Sequence, residues 1–202
     1  MPGIAETGEN KAWGILETLS PEDLCRNASV DFDRGSGCYL VESYGMDFIV
    51  SLPGKRITSQ STGSDVLLQR LGGFFRLSTL WYLVKARGIP CTGRLVRLQQ
   101  VKGGDIFSRG SHVLPLEKLA LKYGRDRTGF LEKGKMLGGE EMKLADAAVR
   151  LHPFPRIPVV VTLWLEDSEF PARADILLDS TCELQLPTDI LWSIAMISLL
   201  IL

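Results

Sequence analysis

The polar residues of the last third of the chain offer the most chemistry. A charged turn, Glu166-Asp167-Ser168-Glu169, separates an apolar run ending at Trp164-Leu165 from an alternating stretch carrying Arg173, Asp175 and Asp179. If the turn joins two antiparallel strands, Leu165 pairs with Phe170 and Thr162 with Arg173. Side chains alternate along a strand, so Arg173, Asp175 and Asp179 then share a face, with Thr162 and Trp164 across from them. An arginine between carboxylates beside a tryptophan can hold a small anion or polar ligand, or set one carboxyl up for acid–base work. The same pattern also describes an exposed sheet face with cross-strand ion pairs worth about a few tenths of a kcal/mol each. Asp146, Arg156, Trp164, Glu169, Arg173 and Asp179 are the ligand-binding candidates, and no catalytic residue is assigned. The acidic turn supplies few oxygens for a hard cation, since Ca²⁺ takes about 6–8, and reads as an ordinary solvated turn.

Other reactive residues are scattered. Cys25, Cys38, Cys91 and Cys182 form no C-x-x-C pair, and the histidines are His112 and His152. That spacing announces no zinc site, iron–sulfur cluster or redox dithiol, so neither metal nor cofactor is expected and buried free thiols are the default. His152, between Leu151 and Pro153, reads as hydrogen-bonded structure, and His112 has no evident partner. A cysteine–histidine pair stays open, because only the fold brings distant residues together. Gly103-Gly104 is not a phosphate loop, as the chain has no G-x-x-x-x-G-K-[ST] pattern.

The elements that must position these groups are readable from periodicity and punctuation. Ser20-Pro21-Glu22-Asp23 is a helix start, with a serine cap, proline in the first turn and acids at the positive end. Cys38 to Ser43 and Met46 to Leu52 read as a hairpin around Tyr44-Gly45. Asp65 to Ala86 reads as a helix with a kink or close packing at Gly72-Gly73 and an aromatic stripe suited to a core. Arg94 to Gln100 reads as a strand leading to the Gly103-Gly104-Asp105 turn. Short helices follow near Pro115 to Tyr123 and Asp126 to Leu137, each closed by glycine. Residues 140–151 fit a helix or a strand. Ile157 to Leu165 is a central strand buried on both faces, with Pro158 at its start, and Ala172 to Asp179 is its return. The expected fold is therefore α+β. An N-terminal hairpin and C-terminal strands form a mainly antiparallel sheet, packed with a helical middle segment and a C-terminal helix.

Size and charge narrow the function classes. The 202 residues suit one domain over 11–202, with residues 1–10 as a flexible N-terminus. A net charge of −1 speaks against nucleic-acid binding. The imbalance is regional: Arg94 to Lys135 carries 10 basic and 4 acidic residues, Glu166 to Asp189 one basic and 7 acidic. These segments read as neighbours with complementary faces, or the basic one as an anion-attracting surface. Ile190 to Leu202 carries no charge, but a bilayer takes about 20 apolar residues. It reads as a buried helix or as a surface for a protein partner or homo-oligomer, with no membrane span. The N-terminus lacks a signal-peptide layout, which points to the cytoplasm.

From Tyr82 onward the punctuation carries a resemblance. The pieces are Tyr82-Leu83, Gly93, Gly103-Gly104, Leu137-Gly138-Gly139, Asp146-Ala147, Leu163-Trp164, Glu169-Phe170-Pro171 and Leu178-Asp179. Most specific is the stretch from Phe154-Pro155-Arg156-Ile157-Pro158 to Leu186-Pro187-Thr188. The chain resembles domain-of-unknown-function family 3786, found mainly in anaerobic bacteria and archaea. Some relatives are joined to an iron–sulfur module of the kind seen in corrinoid and carbon-monoxide metabolism. The resemblance implies that metabolic neighbourhood and no activity; together with the lack of a catalytic motif and the apolar terminus, it points to a non-catalytic accessory or interaction protein there. The polar hairpin supports the alternative, a small-molecule enzyme or binder.

Overall fold

The computed structural model describes the backbone of residues 4–104 and 113–202, and the side chains of residues 7–104 and 113–202. Asp105 and His112 lie outside the described residues. Helix α1 (Ile4–Leu16) takes in part of the stretch set apart as flexible. Helix α2 (Pro21–Ala28) begins as expected: the Ser20 hydroxyl accepts the Asp23 N–H at 3.4 Å.

Two antiparallel sheets follow. The first has the order β1 (Asp31–Asp33), β2 (Cys38–Ser43), β3 (Met46–Ser51), β4 (Arg56–Thr58). Its central pair is the hairpin predicted around Tyr44-Gly45. Both turn residues have positive φ, 53° and 69°, which matches the twist of a tight hairpin. Tyr39, Val41, Phe48 and Val50 point into the core, whereas Leu40, Glu42, Asp47 and Ile49 face out.

The predicted helix over 65–86 is two pieces, a π-helical turn (Val66–Arg70) and α3 (Gly72–Lys85). Leu71 breaks between them at φ −108°, ψ 15°. The glycines thus stand in the first turn of α3 and not in a helix interior, where each would cost about 1 kcal/mol.

The second sheet has the order β5 (Leu95–Arg97), β9 (Arg173–Asp179), β8 (Ile157–Trp164), β7 (Ala147–Phe154), β6 (Glu140–Glu141). The strand expected over Arg94 to Gln100 is shorter, because the Gln100 side chain accepts the Arg97 N–H at 2.8 Å and turns Leu98–Gln100 into a 3₁₀ turn. Residues 140–151 resolve as β6 and the start of β7. Val149 pairs with Val161 and Leu151 with Val159, so pairing with the apolar β8 decides for strand. Central in its sheet, β8 is buried on both faces, as its composition predicts.

Helices α4 (Leu116–Tyr123) and α5 (Arg127–Met136) pack on this sheet at β9 and β7. After the short α6 (Cys182–Gln185), α7 (Thr188–Ile201) packs against α3 and reaches β7 and β8. Ile190, Leu191, Ile194, Ala195, Ile197, Leu199 and Ile201 are buried. No helix among the described residues is long and apolar enough to cross a membrane. The fold is α+β.

One backbone contact locks the sheets together. A Cβ on Gly45 would stand 2.9 Å from the Cα of Gly138, which itself has φ +67°. Beside it the Tyr44 N–H donates to the His152 carbonyl at 2.8 Å, and the Tyr44 hydroxyl meets Ser198 Oγ at 2.8 Å. The tip of the first hairpin therefore touches the end of α5, strand β7 and helix α7.

Candidate functional site

The C-terminal hairpin has the predicted face but a different register. Trp164 lies opposite Arg173 and Thr162 opposite Asp175, two residues from the expected pairing. A shift of two preserves the faces. The strands end early because the Leu165 N–H donates to the Asp146 carboxylate at 2.9 Å instead of pairing with Phe170. The loop after Leu165 closes on Asp167, whose carboxylate accepts the N–H groups of Glu169 and Phe170, each at 2.8 Å. Those hydrogen bonds hold the Asp167 carboxyl below its ordinary range.

Between this loop and α4 lies an open cleft of about 790 Å³. Helix α4 contributes Leu116, Glu117 and Ala120, with Leu116 and Ala120 one helical turn apart. Strand β8 contributes Trp164, the loop Leu165, Asp167, Phe170, Pro171 and Ala172, and β9 Arg173 and Ala174. Asp146 completes the wall. Gly124 sets the spacing: a Cβ there would stand 2.4 Å from the Ala172 Cβ, so only glycine lets the end of α4 approach the hairpin. Its carbonyl accepts the Glu166 N–H at 3.0 Å, and Arg125 pairs with the Glu166 carboxylate.

The electrostatics centre on Arg173. Its guanidinium lies 4.2 Å from the centroid of the Trp164 ring, a cation–π contact on a half-buried tryptophan. Asp175, which the sequence grouped with it, pairs with Arg97 at 2.9 Å. No carboxylate among the described residues pairs with Arg173. Asp146 is fixed by its backbone as well. Its N–H donates to the Leu163 carbonyl at 3.2 Å, and its own carbonyl accepts from Arg127 at 2.9 Å.

Of the six candidates, Asp146, Trp164 and Arg173 line one cleft. Glu169 is exposed in the same loop as Asp167 and Phe170 but does not line the cleft. Arg156 lies elsewhere and closes the end of α2, donating to the carbonyls of Asn27 at 2.6 Å and Arg26 at 3.1 Å. Its own N–H donates to the Tyr82 hydroxyl at 3.2 Å, and Tyr82 stacks on Phe154. Asp179 is 2% exposed and pins the 92–93 connection. It accepts from the N–H and hydroxyl of Thr92, the N–H of Gly93, and the N–H and hydroxyl of Thr181. Burial opposes ionisation of Asp179, yet these donors outweigh it and hold the carboxyl below its ordinary range.

Sequence reasoning missed the wall supplied by α4. Glu117 stands in its first turn and Leu116 and Ala120 follow helical spacing, but nothing local says that this helix faces the hairpin. The cysteines are all unbridged: Cys38 and Cys182 are buried, Cys25 is half-buried and Cys91 is exposed. Among the described residues, no cluster of three or more histidine, cysteine or carboxylate side chains is arranged to hold a metal ion.

A family model described as Domain of unknown function (DUF3786) matches residues 20–199. No curated protein and no solved structure matches the chain.

Proposed function

The chain belongs to the family described as Domain of unknown function (DUF3786), and from the geometry of its cleft we propose that it binds a small ligand with an apolar body and an anionic group. The supporting observation is the Arg173 guanidinium, laid on Trp164 at the cleft wall without a carboxylate partner among the described residues. Stacking restrains the planar fork while leaving its N–H edge for a carboxylate or phosphate. Leu116, Ala120, Leu165 and Phe170 offer the apolar surface, and Phe170 is 66% exposed.

The test is titration with 3-phenylpropionate, followed by tryptophan fluorescence and thermal unfolding. The expected result is saturable binding that Arg173→Ala weakens by about 10- to 100-fold, the worth of one charge-assisted contact. Equal affinity in the wild type and Arg173→Ala would refute the proposal.

The wider role we propose is that of a cytoplasmic accessory domain in iron–sulfur- or corrinoid-linked metabolism. It rests on the modular relatives that the resemblance brings with it. Support for a protein contact comes from α7, where Trp192, Met196 and Leu200 are half-buried at helical spacing while the other residues from Ile190 onward are buried. A native pull-down should recover a corrinoid or iron–sulfur protein, and Met196→Glu should release it; recovery unchanged by that substitution counts against this surface.

A further inference from the structure

We infer that the ligand of the α4–hairpin cleft is a zwitterion, an α-amino acid with a large apolar side chain. Its carboxylate would meet Arg173 and its ammonium Asp146 and Glu117. The inference rests on the reading of the cleft as an anion-binding site and adds the second charge.

Charge balance at the walls carries it. The lining holds one guanidinium, that of Arg173, and three carboxylates, those of Glu117, Asp146 and Asp167. A ligand with only an anionic group satisfies Arg173 but enters a lining of net negative charge. A purely cationic ligand meets the carboxylates and leaves Arg173 opposed to it. A molecule with both charges suits both sets of groups. The acids are placed for this. Asp146 commits one oxygen to the Leu165 N–H and leaves the other without a donor among the described residues. Leu165 directly follows Trp164, on which Arg173 stacks, so the positive and negative groups are anchored on consecutive residues of one strand end. Glu117 is exposed on α4, with no hydrogen bond or ion pair among the described residues. The apolar side chain would lie on Leu116, Leu165 and Phe170, between the charged walls.

Calorimetric titration of the full chain with phenylalanine, 3-phenylpropionate and phenethylamine tests this. Phenylalanine should bind about tenfold or more tighter than either single-charge analogue. Arg173→Ala should weaken phenylalanine and phenylpropionate and tighten phenethylamine, whose ammonium the guanidinium opposes. Glu117→Gln, alone or with Asp146→Asn, should weaken phenylalanine and phenethylamine and leave phenylpropionate as tight or tighter, since the lining loses negative charge. The single variant changes an exposed side chain, so it keeps the test valid if the double variant is unstable. Phenylpropionate binding as tightly as phenylalanine, through Arg173, would overturn the zwitterion and leave the anion site standing. Binding of none of the three, or phenylalanine and phenylpropionate binding indifferent to Arg173, would overturn both.

Discussion

Asp179 and Arg173 show how differently two charged residues on one strand can be used. Asp179 is buried and spends its oxygens on Thr92, Gly93 and Thr181. Asp179→Ala should destabilise the protein by about 2–4 kcal/mol at pH 7, because buried donors lose a charged acceptor, as read by chemical denaturation. The folded-state pKa of Asp179 is depressed, so its contribution is complete above the unfolded value, near 4. It is lost as pH falls through the lower folded value. The gap between wild type and Asp179→Ala should therefore shrink below about pH 4; a gap constant down to pH 2 would contradict the ionised staple. Arg156 is likewise structural. Arg156→Met should cost about 1–3 kcal/mol through the uncapped end of α2, while ligand affinity in the cleft stays unchanged.

At the scale of elements, glycines mark where segments touch. Gly45 and Gly138 meet backbone to backbone, both at positive φ. Gly45→Ala adds a left-handed alanine and a clash, so a loss of about 1–3 kcal/mol is expected. Amide exchange should then speed up at Tyr44, whose N–H holds the His152 carbonyl. Gly124→Ala acts on the cleft. Its Cβ would drive Ala172 away and move α4 off β9, so 3-phenylpropionate affinity should fall in a protein that still folds. Unchanged affinity would show that the α4 wall does not contact the ligand. These glycines were visible in the sequence as helix stops and a turn, but their partners were not. A stop signal is local, whereas the surface that crowds it comes from a distant segment.

For the whole molecule, one hydrophobic core runs through both sheets, α3 and α7. Ile194 is fully buried in it, and Ile194→Ala should cost about 2–5 kcal/mol. Unfolding should be one transition, with fluorescence and circular dichroism midpoints coinciding; separated midpoints would mean that the sheets melt independently. The charge asymmetry also resolves at this scale. The basic and acidic segments do lie together, joined by Arg97–Asp175 and Arg125–Glu166. Both pairs involve an exposed arginine, so they set complementarity and add little stability.

The sequence by itself determined the α+β class, the first hairpin, the two-faced burial of β8 and the shared face of Trp164 and Arg173. Each depends on a period or a turn signal spanning a few residues, and side-chain alternation survives even a two-residue change of register. Only the tertiary structure separated Arg156 and Asp179, which staple the fold, from Asp146, Trp164 and Arg173, which line a cleft. A charged side chain carries the same letter whether its partner is a buried backbone amide or solvent. Which of these it meets is decided by helices and loops far away in the chain.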